Sequence, residues 1–318
     1  MDKIQINQLT DFMLGQAQDL NAMTGCTCVI APEGAVCGVD VRGGSPGTRD
    51  ISALDPTCNR TEVHGVMLSG GSSFGLDAAG GLMEFLEEKK IGRNVGVTVV
   101  PNVCEAILFD LHCGSYQIRP DKAMGRLSGE NAFSGEPFQS GNFGAGTGAT
   151  IGKTNGLKNA MKGGVGVAAF QQGELMVGAV FAVNAAGDVT EDGKILAGAL
   201  TEDHTSFADS EALLLGSYAV NDDLFAGNTV IGCIFTNGRL SKAQATRIAG
   251  RGQDGIAKVI RPAHSIFDGD TVFVMASGKV DTTIDAIGVL AEHATMAAIT
   301  DAIKSAESYG CFTSYKDL

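Results

Sequence analysis

A layered α/β fold is the architecture this sequence predicts, and three observations point to it. Apolar runs of strand character alternate with helical stretches in both halves of the chain. Apolar residues make up 44% of the 318 positions, enough for a substantial core. The 44 glycines are scattered through apolar segments, with only 7 prolines and no tryptophan, so they mark tight turns and close backbone packing instead of a low-complexity tract. No Pro/Ser-rich linker divides the chain, and residues 1–318 read as a single domain.

Residues 27–41 form short apolar runs broken at Pro32-Glu33-Gly34, the pattern of a hairpin, and 42–49 follow as a loop. Residues 63–68 read as a buried strand. Ser69-Gly70-Gly71-Ser72-Ser73 then opens a helix in which Phe74, Ala78, Leu82 and Phe85 recur at helical spacing and Glu87-Glu88-Lys89-Lys90 closes the segment. Further strands are expected over 95–101 and 106–111. The stretch 135–166 is Gly-rich and weakly periodic. Strands at 165–170 and 175–184 are joined near Gln171-Gln172-Gly173. Residues 187–226 read mostly as polar loop, the segment best suited to an accessible cut. A strand over 229–235, an amphipathic helix over 240–260, a strand over 271–276 and an Ala-rich helix over 283–306 complete the chain.

The balance of 36 acidic residues against 23 Lys and Arg, net −13, argues against nucleic acid or an anionic membrane as partner, because both demand a basic face. The N-terminus has no basic-then-apolar signal region, and no run approaches the length of a membrane span. Of the eight cysteines, none forms a Cys-x-x-Cys pair, and Cys26-Thr27-Cys28 has the wrong spacing for a zinc knuckle. These features predict a reduced, cytoplasmic protein.

Several motifs carry possible chemistry. Gly144 to Thr154 looks like a phosphate loop, but Gly-x-x-x-x-Gly-Lys-[Ser/Thr] needs Gly at position 147, which is Thr, and no apolar strand leads in. A structural Gly-rich loop is the better account. Ser69 to Ser73 at a helix start could cradle an oxyanion or carboxylate on free backbone N–H groups, although an ordinary capped turn explains it as well. Asp268-Gly269-Asp270 is a turn or a pair of carboxylates able to orient an amine. Lys162 abuts a buried strand, where a desolvated and reactive amine is an alternative to a solvated one. Asn184 ends a strand and is a turn residue or an oxyanion donor. Asn228-Thr229 opens an apolar strand. Cleavage between them would leave Thr229 with a hydroxyl nucleophile and an α-amine as its base.

Taken together these segments resemble the DmpA-like aminopeptidase family, which includes β-aminopeptidases and the nylon-oligomer hydrolase. The likeness runs through 38–49, 68–79, 144–152, 160–164, 182–185, Asn228-Thr229 and 267–273. It implies a four-layer αββα sandwich of the DmpA and ornithine-acetyltransferase type that self-cleaves into an α subunit, 1–228, and a β subunit, 229–318. It further implies Thr229, Asn184, Lys162, Asp268 and Asp270 as catalytic residues, Gly70, Gly71 and Ser72 as oxyanion donors, and no metal or organic cofactor. Lys162 is expected to lower the pKa of the Thr229 amine. Where relatives show Gly-Tyr, this chain has Gly125-Arg126, which puts Arg126 on the substrate side. The implied activity is amide hydrolysis on a small peptide or amide by a homo-oligomer, a dimer or tetramer of αβ units. An acyltransferase of the ornithine-acetyltransferase type and a catalytically silent binding member are the rivals.

Overall fold

The computed structural model describes residues 1–217 and 227–318. Its principal strands are β1 (Met13–Asp19), β2 (Thr24–Val41), β3 (Val63–Ser69), β4 (Val103–Ile107), β5 (Gly164–Gln172), β6 (Leu175–Asn184), β7 (Thr229–Gly238) and β8 (Thr271–Val280). The helices are α1 (Ala78–Glu88), α2 (Lys122–Ser134), a short α3 (Ser210–Gly216), α4 (Lys242–Val259) and α5 (Ile284–Ser305). The strand expected over 229–235 is present and runs three residues further, and the helix expected over 240–260 is present but slightly shorter at both ends.

β2 is the joint of the architecture. Its residues 36–41 pair with β8, which continues through β7, β6 and β5 into one sheet. Its residues 24–30 pair instead with β1 and β3, and β3 leads to β4 in a second sheet. The ladder with β3 shifts register between Ile30 and Ala35. Pro32-Glu33-Gly34 falls in that interval, so the expected hairpin turn is instead the point where one 18-residue strand passes between sheets. Proline lacks an N–H and glycine tolerates positive φ (Gly34, +77°), which suits a break in pairing as well as it suits a turn.

The sheets stack face to face. Val29, Leu68 and Cys104 of the second sheet share one core with Val180, Ile231, Phe235 and Phe273 of the first. The alternate residues Phe181, Val230, Ile234 and Val272 pack outward on Ile248, Ile256, Leu290 and Ile299 of α4 and α5. On the opposite outside, Cys28, Ile30 and Met67 meet Leu82 and Phe85 of α1 and Ala132 of α2. The period-2 alternation of the strands thus fills two cores at once, and the result is the expected αββα sandwich. Each fully buried Phe or Ile contributes about 1.5–3 kcal/mol.

One helix escapes a reading of hydrophobic period. The face of α2 that packs is small, not apolar: Gly125, Ser128, Gly129 and Ala132 are its buried residues. A Cβ on Gly125 would lie 1.9 Å from the Ala78 carbonyl oxygen, and one on Gly81 would lie 1.8 Å from that of Lys122. The α1–α2 crossing is therefore a backbone contact, silent in hydropathy. α5 is long and apolar enough to cross a membrane by length and composition, contrary to the expectation of no such run, yet it packs Ile287, Leu290, Ile299 and Ile303 into the sandwich. The 187–226 segment contains strands Asp188–Glu191 and Lys194–Ala197 as well as α3. The part of it read as an accessible loop at 218–226 lies outside the described residues.

Candidate active site

Three strand ends of the first sheet converge on Thr229. β6 is antiparallel to β7, with Asn184 opposite Thr229, and β8 runs parallel to β7 with Ile231 opposite Thr271. The C-terminal end of β6 and the N-terminal ends of β7 and β8 therefore meet at one edge of the sheet. Thr229 is the first residue of the central strand, 4% exposed, flanked by Asn184 on one side and the Asp268-Gly269-Asp270 turn on the other.

The Asn228 carbonyl oxygen accepts a hydrogen bond from the Thr229 hydroxyl and a second, of 3.0 Å, from the Gly269 N–H. The nucleophile candidate thus touches the carbonyl of the very bond expected to break, and a backbone donor already polarises that carbonyl. Gly269 is confined by this contact. A Cβ there would sit 2.9 Å from Thr229 Oγ1.

The flanking carboxylates hold the backbone. Asp270 Oδ1 accepts from the Val230 N–H at 2.7 Å, and its Oδ2 accepts from the backbone N–H of His264 at 3.1 Å and pairs with His264 Nδ1 at 2.7 Å. Burial pulls His264 down, but the hydrogen bond and charge of Asp270 outweigh it, and the net shift is upward. Asp268 Oδ2 accepts from the Ser265 N–H at 2.7 Å. Burial, and then the charge of Asp270, push the Asp268 carboxyl above the usual range. The loop after β2 clamps this turn: Ser45 N–H donates to the Asp268 carbonyl at 2.8 Å and Arg42 N–H to that of Asp270 at 3.0 Å.

On the other flank, Asn184 Nδ2 donates to the Gly227 carbonyl at 2.9 Å and to that of Phe109 at 3.1 Å, which ties the end of the second sheet to the site. Its Oδ1 accepts from the Thr150 N–H at 2.9 Å and from Lys153 Nζ at 2.9 Å. Lys153 also reaches the Asn184 carbonyl at 2.8 Å and that of Thr150 at 2.9 Å. Burial drives its ammonium down to about 7, against the pull of Asp268 and with the help of Lys162. Its bonds to Asn184 attach Lys153 to the residue that lies opposite Thr229. Sequence reading weighed Lys153 only as part of a failed phosphate loop. The available signal was a lysine inside a Gly-rich run, held here because Gly152 takes a positive φ of 66° and packs against Gly198 and Ala199.

Lys162, expected beside the Thr229 amine, is fully buried but spends its protons on the carbonyls of Gly146 (3.1 Å), Ala149 (2.8 Å) and Gly163 (2.9 Å). Burial lowers it to about 8, and no hydrogen bond joins it to Thr229 among the described residues. Its contacts brace the Gly-rich loop, and Lys153 occupies the place next to Asn184.

The Ser69 to Ser73 turn does cradle a carboxylate, but the fold supplies it. Gly71 N–H donates to Asp110 Oδ1 at 2.7 Å, while the N–H groups of Gly70 and Ser72 go to the carbonyls of Gly25 and Leu108, each at 2.9 Å. Those three donors are committed internally, so none is open to a substrate oxyanion. Arg126 lies on α2 in an outer layer, where its guanidinium clasps Glu88 at 2.8 and 2.7 Å and Glu130 at 2.8 Å. Gly70, Gly71, Ser72 and Arg126 are thus all paired within the fold.

Comparison with known proteins places the chain in a family. The profile of Peptidase family S58 matches residues 4–315. An uncharacterized aminopeptidase of Mycobacterium leprae is 37% identical over 316 residues, covering 92% of this chain and 85% of its own. The 6-aminohexanoate-oligomer endohydrolase of Paenarthrobacter ureafaciens is 30% identical over 274 residues, covering 84% of this chain and 73% of its own. Among solved structures, the L-aminopeptidase D-Ala-esterase/amidase of Ochrobactrum anthropi, described as a variant of the Ntn-hydrolase fold, superposes with a TM-score of 0.67 at 17% identity. That alignment covers 94% of this chain and 85% of the other.

Proposed function

The chain belongs to peptidase family S58 and is an amide hydrolase of the aminopeptidase type, and from that premise we propose that Thr229 is its nucleophile and that it activates itself by cutting the Asn228–Thr229 bond. The observation that carries the reading is the double contact on the Asn228 carbonyl, from Thr229 Oγ–H and Gly269 N–H. In the precursor, Thr229 Oγ adds to the Asn228 carbonyl carbon and the Gly269 N–H stabilises the resulting oxyanion. Collapse breaks the C–N bond, hands the proton to the Thr229 nitrogen and leaves an ester. Water then hydrolyses the ester, regenerating the hydroxyl and a carboxyl on Asn228.

The liberated Thr229 α-amine becomes the general base for substrate, taking the Oγ proton and returning it to the leaving amine. Asn184 Nδ2, freed of the Gly227 carbonyl once the cut end withdraws, is the side-chain donor closest to hand for the second oxyanion. Lys153 holds Asn184 by its Oδ1, and its neighbouring charge disfavours protonation of the amine. Asp270 fixes the strand through the Val230 N–H.

The test is intact-mass analysis with N-terminal sequencing. Cleavage yields 228 and 90 residues of the 318, roughly 23 and 9 kDa by residue share of 32.7 kDa, with Thr229 as a new N-terminus. A single species that starts only at Met1 and still hydrolyses amides would refute it.

A further inference from the structure

Beside the cleavage point lies a cavity of about 200 Å³, lined by Asn228 and Lys153 together with Ala186, Leu214, Ile266 and Phe267. It is smaller than the ~300–1,000 Å³ of most small-molecule sites, which suits one side chain better than a whole ligand. We propose that this cavity receives the acyl-side residue of the substrate and selects for an apolar side chain there. The inference rests on the function proposed above.

Asn228 marks where the acyl side of an attacked bond must lie. Its carbonyl is the one Thr229 Oγ touches and Gly269 N–H polarises. A substrate attacked by the same hydroxyl must present its own carbonyl at that point. Its acyl-side residue then stands where Asn228 stands, against the cavity.

The lining of the cavity is largely hydrocarbon. Ala186, Leu214, Ile266 and Phe267 offer hydrocarbon, and the polar neighbours are already engaged. Lys153 directs its protons to the carbonyls of Thr150 and Asn184 and to Asn184 Oδ1. Thr154 Oγ1 donates to Ser210 Oγ at 2.8 Å, and the Ser265 N–H donates to Asp268. Asn228 itself reports the consequence: its Oδ1 is buried without a hydrogen-bond partner among the described residues. Among the described residues the side-chain carbonyl at this position finds no donor, so an apolar chain of the same size gives up no hydrogen bond of that oxygen by replacing it. The spent protons of Lys153 also argue against an anionic side chain as the preferred occupant.

Leucine and asparagine have similar size and branching and differ chiefly in polarity. The experiment compares kcat/KM for the leucine and asparagine p-nitroanilides on the processed protein, its processing verified by mass. A leucine preference of about tenfold or more is expected, the range that apolar-pocket discrimination spans. Leu214→Asn should reduce that ratio at least about threefold. Ile266→Asn should act in the same direction at a position 72% exposed, where folding is safe. Equal rates, an asparagine preference, or an unchanged ratio in both variants would overturn the inference and leave the hydrolase reading standing. No turnover of either anilide overturns it too, and self-cleavage in the same sample then decides whether the functional reading falls with it.

Discussion

The N–H of Gly269 stands 3.0 Å from the carbonyl oxygen of Asn228, across a parallel bridge that joins Asn228 to Asp268. This contact couples the turn between the two carboxylates to the peptide bond in front of Thr229. It also explains why a residue without a side chain separates Asp268 from Asp270, because a Cβ at that point would press on the Thr229 hydroxyl.

Gly269→Ala should keep the polarising N–H while displacing the hydroxyl by a few tenths of an ångström or more, since its Cβ would start 2.9 Å from Thr229 Oγ1. Self-cleavage should slow at least about tenfold, with a stability loss of about 1–3 kcal/mol from overpacking. Time-resolved electrophoresis and chemical denaturation measure the two effects. A variant that cuts itself at the native rate would show that the contact does not matter.

Thr229→Ala should abolish both cleavage and hydrolysis while the sandwich still folds, because the side chain stands at the strand's start. Thr229→Ser keeps a hydroxyl on the same backbone and should retain part of both activities. Amide turnover by the alanine variant would remove Thr229 from the role of nucleophile.

The two buried lysines should separate in activity. Lys153→Met leaves Asn184 Oδ1 and the carbonyls of Thr150 and Asn184 without their cation, so hydrolysis should fall by about 10²-fold or more, with a stability loss of about 2–4 kcal/mol beside it. Lys162→Met strands three buried carbonyls that its ammonium now satisfies, and stability should fall by about 2–4 kcal/mol. Denaturant midpoints measure the stability each variant loses, and steady-state kinetics on the folded fraction distinguish them: Lys162→Met should keep most of its turnover. The reverse pattern, a stable but inactive Lys162→Met beside an active Lys153→Met, would return catalysis to Lys162.

Glu105 makes a pH-dependent contribution to stability. It is fully buried on β4, accepts a 2.8 Å hydrogen bond from the Ser69 hydroxyl, and its Oε2 has no partner among the described residues. Burial raises its pKa from 4.5 to about 8, so the folded chain keeps a proton that the unfolded chain releases. The stabilisation from that proton is complete below the unfolded value and is lost as pH climbs through the folded one. Glu105→Gln has no such proton. Relative to the native chain it should gain stability between about pH 5 and pH 8.5, read from denaturation midpoints at both ends. Parallel stability curves would show that Glu105 does not titrate in this window.

The sequence alone determined the chemistry on offer. Asn228-Thr229 before an apolar strand, Asn184 at a strand end and Asp268-Gly269-Asp270 before another strand are short-range signals, and the structure brings all three to one sheet edge. The strands and the long helices were legible because alternation and helical period are local properties. Tertiary structure decided the rest. Pro32-Glu33-Gly34 breaks pairing whether the chain reverses or crosses to another sheet, and only the partners of β2 distinguish these. α2 was invisible because its packed face is made of small residues at a backbone crossing. Which lysine attends Asn184 was undecidable in one dimension, since Lys153 and Lys162 lie nine positions apart in the same Gly-rich region and both are buried. The Ser69 to Ser73 turn had the right free donors until Asp110, distant in sequence, filled it. A short motif specifies which groups can react, but what each group faces depends on contacts between residues far apart in the chain, and those form only when the sheets stack.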